Sequence, residues 1–188
     1  MSIERMPAVP REQMTAAQKQ AHDEIASGPR GAVYGPFVPL LRSPELTRRL
    51  QKVGEYLRYQ AVLPKKISEL IILLTAREWT QQFEWHHHLP LALAQGVNEK
   101  VAQAISDGRR PEKMADDEEI AYELCRELGQ NHSVSDETYS RAVARFGEQG
   151  VVELLVLQGY YTLMAMVMNV ARTALPEGAA PALPAFPR

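Results

Sequence analysis

The stretch LPKKISELIILLTAREWTQQFEWHHHLPLALAQGV, residues 63–97, decides how the rest of the chain is read. Pro64 stands where a helix begins, because it has no N–H to satisfy and its φ is already helical. Ile67, Leu70, Ile71, Ile72, Leu73 and Leu74 then cover almost the whole helix circumference, and a helix that is apolar all round is buried. Glu69 lies inside that run, at an angle shared with Ile72, Leu73 and Ala76. A carboxylate in such a collar loses hydration, and its pKa rises unless a cation holds it. Lys65, Lys66 and Arg77 stand at helical spacing to supply that cation, in which case Glu69 lies on a solvated strip instead. Spacing alone leaves both readings of Glu69 open.

The second half of the stretch carries more chemistry. Glu84 and His88 are four apart, so on a helix they stack on one face with Gln81, His87 and Leu91. Trp85, Leu89, Ala92 and Leu93 form the adjoining apolar face, and His86 points almost the other way. A carboxylate bonded to one imidazole nitrogen fixes the tautomer and raises the basicity of the ring. Glu84 is therefore expected to orient His88 as a general acid or base. Pro90 is expected to kink the helix or mark a restart near 86–88, with Gly96 as the C-cap. Adjacent histidines do not converge on one ion as i, i+4 pairs do, and no second ligand pair follows at a recognised spacing, so no metal site is expected.

Taken in order, Glu69-Leu70, Glu84-Trp85 and His88-x-x-x-Ala92-x-x-x-Gly96-Val97 resemble the core motif of the carboxymuconolactone decarboxylase family, which includes alkylhydroperoxidase D. GPRG at 28–31, GPF at 35–37, Ser43-Pro44-Glu45-Leu46 and GYYTL at 159–163 resemble a carboxymuconolactone decarboxylase-like subgroup, so the likeness runs over residues 25–173. The resemblance implies an all-α fold, an alkylhydroperoxidase D-like helical bundle. It also implies a homo-oligomer (dimer, trimer or hexamer) and a proton-relay site on the central helices. The peroxidase branch carries a glutamate, a Cys-x-x-Cys pair and a histidine. Carried over by spacing, the glutamate is Glu69 and the histidine is His88. Gln81 and Glu84 occupy the two cysteine positions, and the disulfide chemistry of that branch needs two thiols.

At 188 residues the chain fits one domain with a substantial core, with irregular tails expected over 1–13 and 176–188. A net charge of −2 and no basic stripe argue against a nucleic-acid partner. Its one cysteine, Cys125, excludes an intramolecular disulfide and fits a reducing cytoplasm. Residues 1–13 are polar and proline-bearing, so no secretory signal is expected there. Thr15 and Gln18 read as a capping box for a helix ending at Gly28. The segment 28–42 is an ordered loop, being too apolar to be left in water. On it, Arg30 and Tyr34 are candidates to grip a substrate carboxylate.

Ser43-Pro44 opens a helix to about Tyr59, Asn98 opens one to about Ser106, and Asp116 to Glu119 open one to about Gly129. That last helix carries Cys125, read as a buried structural thiol. Ser135 opens a helix ending near Gly147, and Gly150 to about Thr173 is the most hydrophobic helix of the chain. Gln158, Gly159, Thr162 and Asn169 interrupt it, so a buried or intersubunit helix is expected rather than a membrane span. Tyr160 and Tyr161 read mainly as packing, with a hydroxyl at the site as the alternative. The tail after Pro176 is expected to wrap a neighbouring subunit. Glu153-Leu-Leu-Val-Leu faintly repeats the grammar of Glu69-Leu-Ile-Ile-Leu.

The function expected from residues and resemblance together is a cofactor-free acid–base enzyme, a decarboxylase (carboxy-lyase) type. Its substrate is expected to be a small carboxylated lactone or a related acid of aromatic catabolism. His88 handles the proton, Glu84 orients it, Glu69 stores or relays it, and Gln81 donates a hydrogen bond to a substrate oxygen. The alternatives are an alkylhydroperoxidase D-like peroxidase or antioxidant protein, disfavoured by the missing thiol pair, and a non-catalytic helical oligomer.

Overall fold

A computed structural model describes residues 3–185; the extreme ends of both expected tails, 1–2 and 186–188, lie outside the described residues. Among these are eight α-helices and no strand: α1 Ala16–Ser27, α2 Phe37–Leu40, α3 Pro44–Tyr59, α4 Lys65–Glu78, α5 Gln82–Ala94, α6 Glu99–Ser106, α7 Asp116–Asn131 and α8 Asp136–Ala171. The expected boundaries hold to within a residue or two. Thr15 and Gln18 close a reciprocal capping box, with N–H to side-chain oxygen distances of 2.9 and 3.2 Å.

The all-round apolar sequence of α4 has a direct cause: this helix is the wall between two cores. Ile67, Ile71 and Ile72 face a larger cluster with Ile25, Leu57, Leu124, Leu154 and Met164. Leu70, Leu73 and Ala76 face a smaller one with Trp85, Ala92, Val101 and Ile105. Helices α5, α6, α7 and α8 all pack on α4. Each fully buried leucine or isoleucine there contributes roughly 1.5–3 kcal/mol relative to exposure.

By length and composition α8 could cross a membrane. Here it is the second axis of the main core, burying Leu154, Leu157, Met164 and Met168. The expected break at Gly147 is present as a non-helical kink at φ 70°. Residue Pro90, by contrast, sits inside an unbroken α5. The bond it forgoes is the one to the His86 carbonyl, and both residues lie on the solvent side.

One expectation is corrected, and two further sets of contacts tie the bundle together. The 28–42 segment is not all loop, because its apolar residues 37–40 wind into α2 and bury Phe37 and Leu40. The described part of the C-terminal tail docks on its own chain. Leu183 enters the smaller core, Gln82 donates to the Leu183 carbonyl at 2.7 Å and Arg77 to that of Pro184 at 2.6 Å. Glu153, whose local sequence echoes that of Glu69, is a structural carboxylate. It accepts from the Tyr56 hydroxyl at 2.6 Å, the Val62 N–H at 2.7 Å and Gln149 at 2.9 Å, pinning the α3–α4 turn to α8. Burial alone would raise its pKa, and these donors outweigh burial and bring it below the usual value.

The closest approach between α3 and α8 is at Gly54, where an added Cβ would lie 2.2 Å from the Tyr160 hydroxyl oxygen. Gly54→Ala gains helix propensity of about 1 kcal/mol but must displace a buried ring, which costs about 1–3 kcal/mol. A lower thermal midpoint is therefore expected, and a raised one would show that Tyr160 is not held there.

Candidate active site

Helices α4 and α5 run side by side through a tight corner in which Thr80 takes a positive φ of 46°. Gln81 closes that corner. Its side-chain oxygen caps α5, accepting from the N–H groups of Phe83 at 2.7 Å and Glu84 at 3.2 Å. Its amide nitrogen donates to Asn169 of α8 at 3.0 Å, and Asn169 in turn donates to the Trp79 carbonyl at 2.9 Å. The expected role of Gln81 as a donor to substrate is thereby corrected: both ends of its amide are taken by the fold, and it does not line the cavity described below.

With the corner fixed, Glu69 on α4 stands opposite His88 on α5. His88 Nδ1 lies 2.7 Å from Glu69 Oε2, and both residues are buried. Here too the structure corrects the sequence reading, which gave His88 to Glu84. An i, i+4 pair shares a helix face, but the carboxylate that meets the imidazole comes from the adjoining helix, nineteen residues back. The alternative in which Glu69 lies on a solvated strip also falls. Lys66 pairs with Asp117 and Glu118, each at 3.4 Å, and Lys65 donates to the Arg58 carbonyl. A carboxylate at Nδ1 holds that nitrogen protonated and leaves Nε2 as the free lone pair. Burial pushes the His88 pKa down, and the Glu69 hydrogen bond works against that push.

His88 lines a cavity of about 30 Å³, room for one or two waters. Glu84 also lines it, although not as His88's partner. Glu84 is buried, its Oε2 has no hydrogen-bond partner among the described residues, and desolvation raises its pKa well above the ordinary carboxyl value. Such a group is held as the neutral acid.

Arg30 and Tyr34 both reach this cavity, as the sequence suggested. Arg30 stacks 4.3 Å over the Phe37 ring, and its Nε is buried without a partner among the described residues. Tyr34 packs against His87, ring to ring at 5.3 Å. His87 is kept neutral: burial, then the proximity of His88 and Arg58, lowers its pKa to about 4. His86 is exposed and takes no part.

Sequence reasoning missed Arg58, which enters from the end of α3; nothing local distinguishes it from an ordinary basic residue in the last turn of a helix. Tyr160 and Tyr161, read mainly as packing, line the same space, and the Tyr161 ring stands edge-on to His88 at 5.2 Å. The cavity thus gathers two guanidinium groups, a neutral carboxyl and the exposed nitrogen of a carboxylate-backed imidazole. Among the described residues no three histidine, cysteine, aspartate or glutamate side chains converge as a metal site would require.

No family model matches the chain, and no curated protein matches it in sequence. Solved structures do match in shape. One is an uncharacterised peroxidase-related protein with an alkylhydroperoxidase AhpD core from Ralstonia eutropha JMP134. It has a TM-score of 0.76 at 14% identity, over 94% of this chain and 94% of that one. The chain has the alkylhydroperoxidase D core fold. A second AhpD-type structure, a protein of unknown function from Agrobacterium tumefaciens provisionally placed in antioxidant defence, matches with a TM-score of 0.62 at 16% identity. That match covers 73% of this chain and 94% of the other. Within the AhpD core fold, the resemblance of motif sets Gln81 and Glu84 where the peroxidase branch has its thiols. In this structure Gln81 is a helix cap and Glu84 a buried acid. Cys125 lies on α7, outside the cavity, with its thiol pKa pushed up first by burial.

The state of Glu84 has a thermodynamic signature. In the unfolded chain it ionises near the ordinary 4.5, whereas in the fold it keeps its proton to higher pH. The folded state binds more protons in that window, so this contribution to stability is full below the unfolded value and is lost as pH rises through the window. Glu84→Gln preserves the shape and removes the titration. Its thermal midpoint should exceed that of the wild type by a margin that widens from about pH 4 to about pH 8. A margin that narrows or reverses would mean that Glu84 is ionised in the fold.

Proposed function

We propose that this chain is a cofactor-free acid–base enzyme acting on a small carboxylated substrate, with decarboxylation as the reaction. The observation that carries this reading is the buried Glu69–His88 pair, 2.7 Å apart, at the wall of a cavity that also contains Arg30, Arg58 and the uncharged Glu84. Two guanidinium groups beside neutral imidazoles and a buried carboxyl favour an anion, and burial strengthens their field.

In a decarboxylation, the bond to the departing carboxylate breaks, carbon dioxide leaves, and the electron pair stays behind as an enolate. An arginine on the departing carboxylate would only stabilise the ground state. Arg30 and Arg58 assist by holding a second carboxylate or the developing enolate oxygen, as preorganised charge at the place where charge accumulates. Glu84, already protonated, hydrogen-bonds to that oxygen. His88 Nε2 takes up a proton from solvent and delivers it to the enolate carbon, and Glu69 balances the imidazolium while the ring is charged. A ring-sized substrate exceeds a cavity of about 30 Å³, so in this reading the 28–36 segment lifts with Arg30 and Tyr34 to admit it. Gly31 at φ 75° and Gly35 at φ 55° lie within that stretch.

The similarity to a peroxidase-related protein raises thiol peroxidase chemistry as the rival. One cysteine, buried and outside the cavity, disfavours it. Peroxide treatment should leave the chain without an intramolecular disulfide, and any peroxidase activity should survive Cys125→Ser; activity abolished by that substitution would establish the rival.

The direct test uses carboxymuconolactone, following carbon dioxide release and uptake of one solvent deuteron in the product. His88→Ala should lower turnover by about 10²–10⁴-fold. Since His88 must carry the proton in order to deliver it, kcat/KM should fall as pH rises through a value below the ordinary imidazole 6.5, because burial holds its pKa down. An unchanged rate in His88→Ala removes the assignment of His88. Absence of carbon dioxide release by the wild type removes this substrate class.

A further inference from the structure

The core of the chain accounts for only half of the apolar surface of α8. The helix is apolar enough to read as a membrane span, yet only half of its most apolar eighteen-residue stretch is buried within the chain. A helix that is apolar all round is buried all round, as α4 is between its two cores. From 154 to 171 the sequence has no Asp, Glu, Lys or Arg. Val152, Leu155, Val156, Met166 and Val170 of α8 stand exposed, on a different face of the helix from Tyr161 and Met164, which line the first cavity.

This outer face is ordered. Val152, Val156, Gly159, Leu163, Met166 and Val170 follow one another at spacings of 4, 3, 4, 3 and 4, the period that turns one stripe of a helix towards a second helix. Leu163 is half-buried and the other five are exposed. Gly159 is the informative member, because glycine is the poorest helix former after proline. Among the described residues, nothing lies within 4 Å of where a Cβ at Gly159 would stand. Crowding within the chain therefore does not call for a glycine here, whereas a backbone approaching closely from outside does.

The stripe is complementary to itself when reversed. Laid antiparallel against a second copy, Gly159 faces the second copy's Leu163, Val156 faces its Met166 and Val152 faces its Val170. Small then meets large at the centre, as interdigitating layers require, and the same contacts repeat about a two-fold axis that closes the pair. Beside the stripe, Val53 and Tyr56 of α3 form one wall of a groove of about 390 Å³, and Val152 and Val156 form the other. The second copy's Met166 and Val170 lie over that groove. The stripe is about 27 Å long on a helix about 10 Å across, roughly 270 Å². A standard interface draws about 800 Å² from each partner, somewhat over half of it apolar. The α8 stripe and the α3 wall together supply the apolar centre of such an interface.

We infer that the outer face of α8 is the seam of a two-fold homodimer, in which the same helix of a second copy packs antiparallel across Gly159. Helix α8 is then a wall between its own core and a second copy, as α4 is a wall between two cores. The first cavity stays within each chain, since no residue of the stripe lines it. A lipid surface is indifferent to the alternating 4 and 3 spacing and gains nothing from a glycine, whereas a helix needs both.

The test is the mass of the full chain in solution, by size-exclusion chromatography with light scattering, which should be that of two copies or an even multiple of two. Gly159→Leu places a side chain in open space within the chain but against the second copy's Leu163. It should weaken association at least about a hundredfold, the clash occurring twice across the two-fold axis, while helical circular dichroism stays unchanged. The variant is also more apolar, so a lipid surface would hold it more tightly instead. Val156→Cys/Met166→Cys should cross-link two copies on mild oxidation, because the two positions lie about 15 Å apart along one helix and cannot bridge within a chain. Neither single substitution should cross-link, since each position meets the other across the seam and not itself. A wild type that is monomeric at about 100 μM, far above the concentration at which a standard interface holds, overturns the inference. So does Gly159→Leu associating as the wild type does, or either single cysteine variant cross-linking as readily as the double one.

Discussion

A carboxylate on the innermost helix of a bundle has to be met from another helix, and here Glu69 is met by His88. Helix α4 is enclosed by α5, α6, α7 and α8, so Glu69 has little water to turn to. Leaving it alone would carry the full cost of a buried charge. The imidazole removes that cost and is changed by doing so, since one nitrogen is committed to the carboxylate and the other is presented to the cavity. Packing and chemistry therefore rest on the same hydrogen bond.

That bond is only as good as the corner that sets α5 against α4. Gln81, Asn169 and the Trp79 carbonyl form a closed chain of hydrogen bonds across α4, α5 and α8. The C-terminal strap adds a second brace through Gln82 and Arg77. Gln81, which looks like a substrate ligand in the sequence, is part of what holds the two catalytic candidates at bonding distance. Precision of this order, within about half an ångström, is what proton transfer between fixed groups requires.

Two buried glutamates show how environment assigns the role. Glu153 receives three hydrogen bonds, remains an ionised anchor and holds a turn. Glu84 has one oxygen without a partner among the described residues, and burial raises its pKa, so it is held as an acid facing the cavity. The same functional group, at comparable depth, is driven to opposite protonation states by what surrounds it.

The sequence by itself determined the helices and much of their boundaries, because caps, prolines, glycines and apolar periodicity act within a few residues of one another. It also determined that α4 is the centre, since a helix apolar on every side has nowhere else to go, and it brought Glu69, Glu84, His88, Arg30 and Tyr34 forward as candidates. Only the tertiary structure decided which carboxylate serves His88, that Gln81 is a cap, that Arg58 reaches the site from α3, and that the C-terminal strap lies on its own chain. Apart from the Gln81 cap, those facts depend on contacts between residues far apart in the chain, nineteen positions for the His88 pair and 107 for the strap. Helical period places side chains around one axis, whereas the pairing of two axes is fixed by how whole surfaces pack, and no local pattern encodes that.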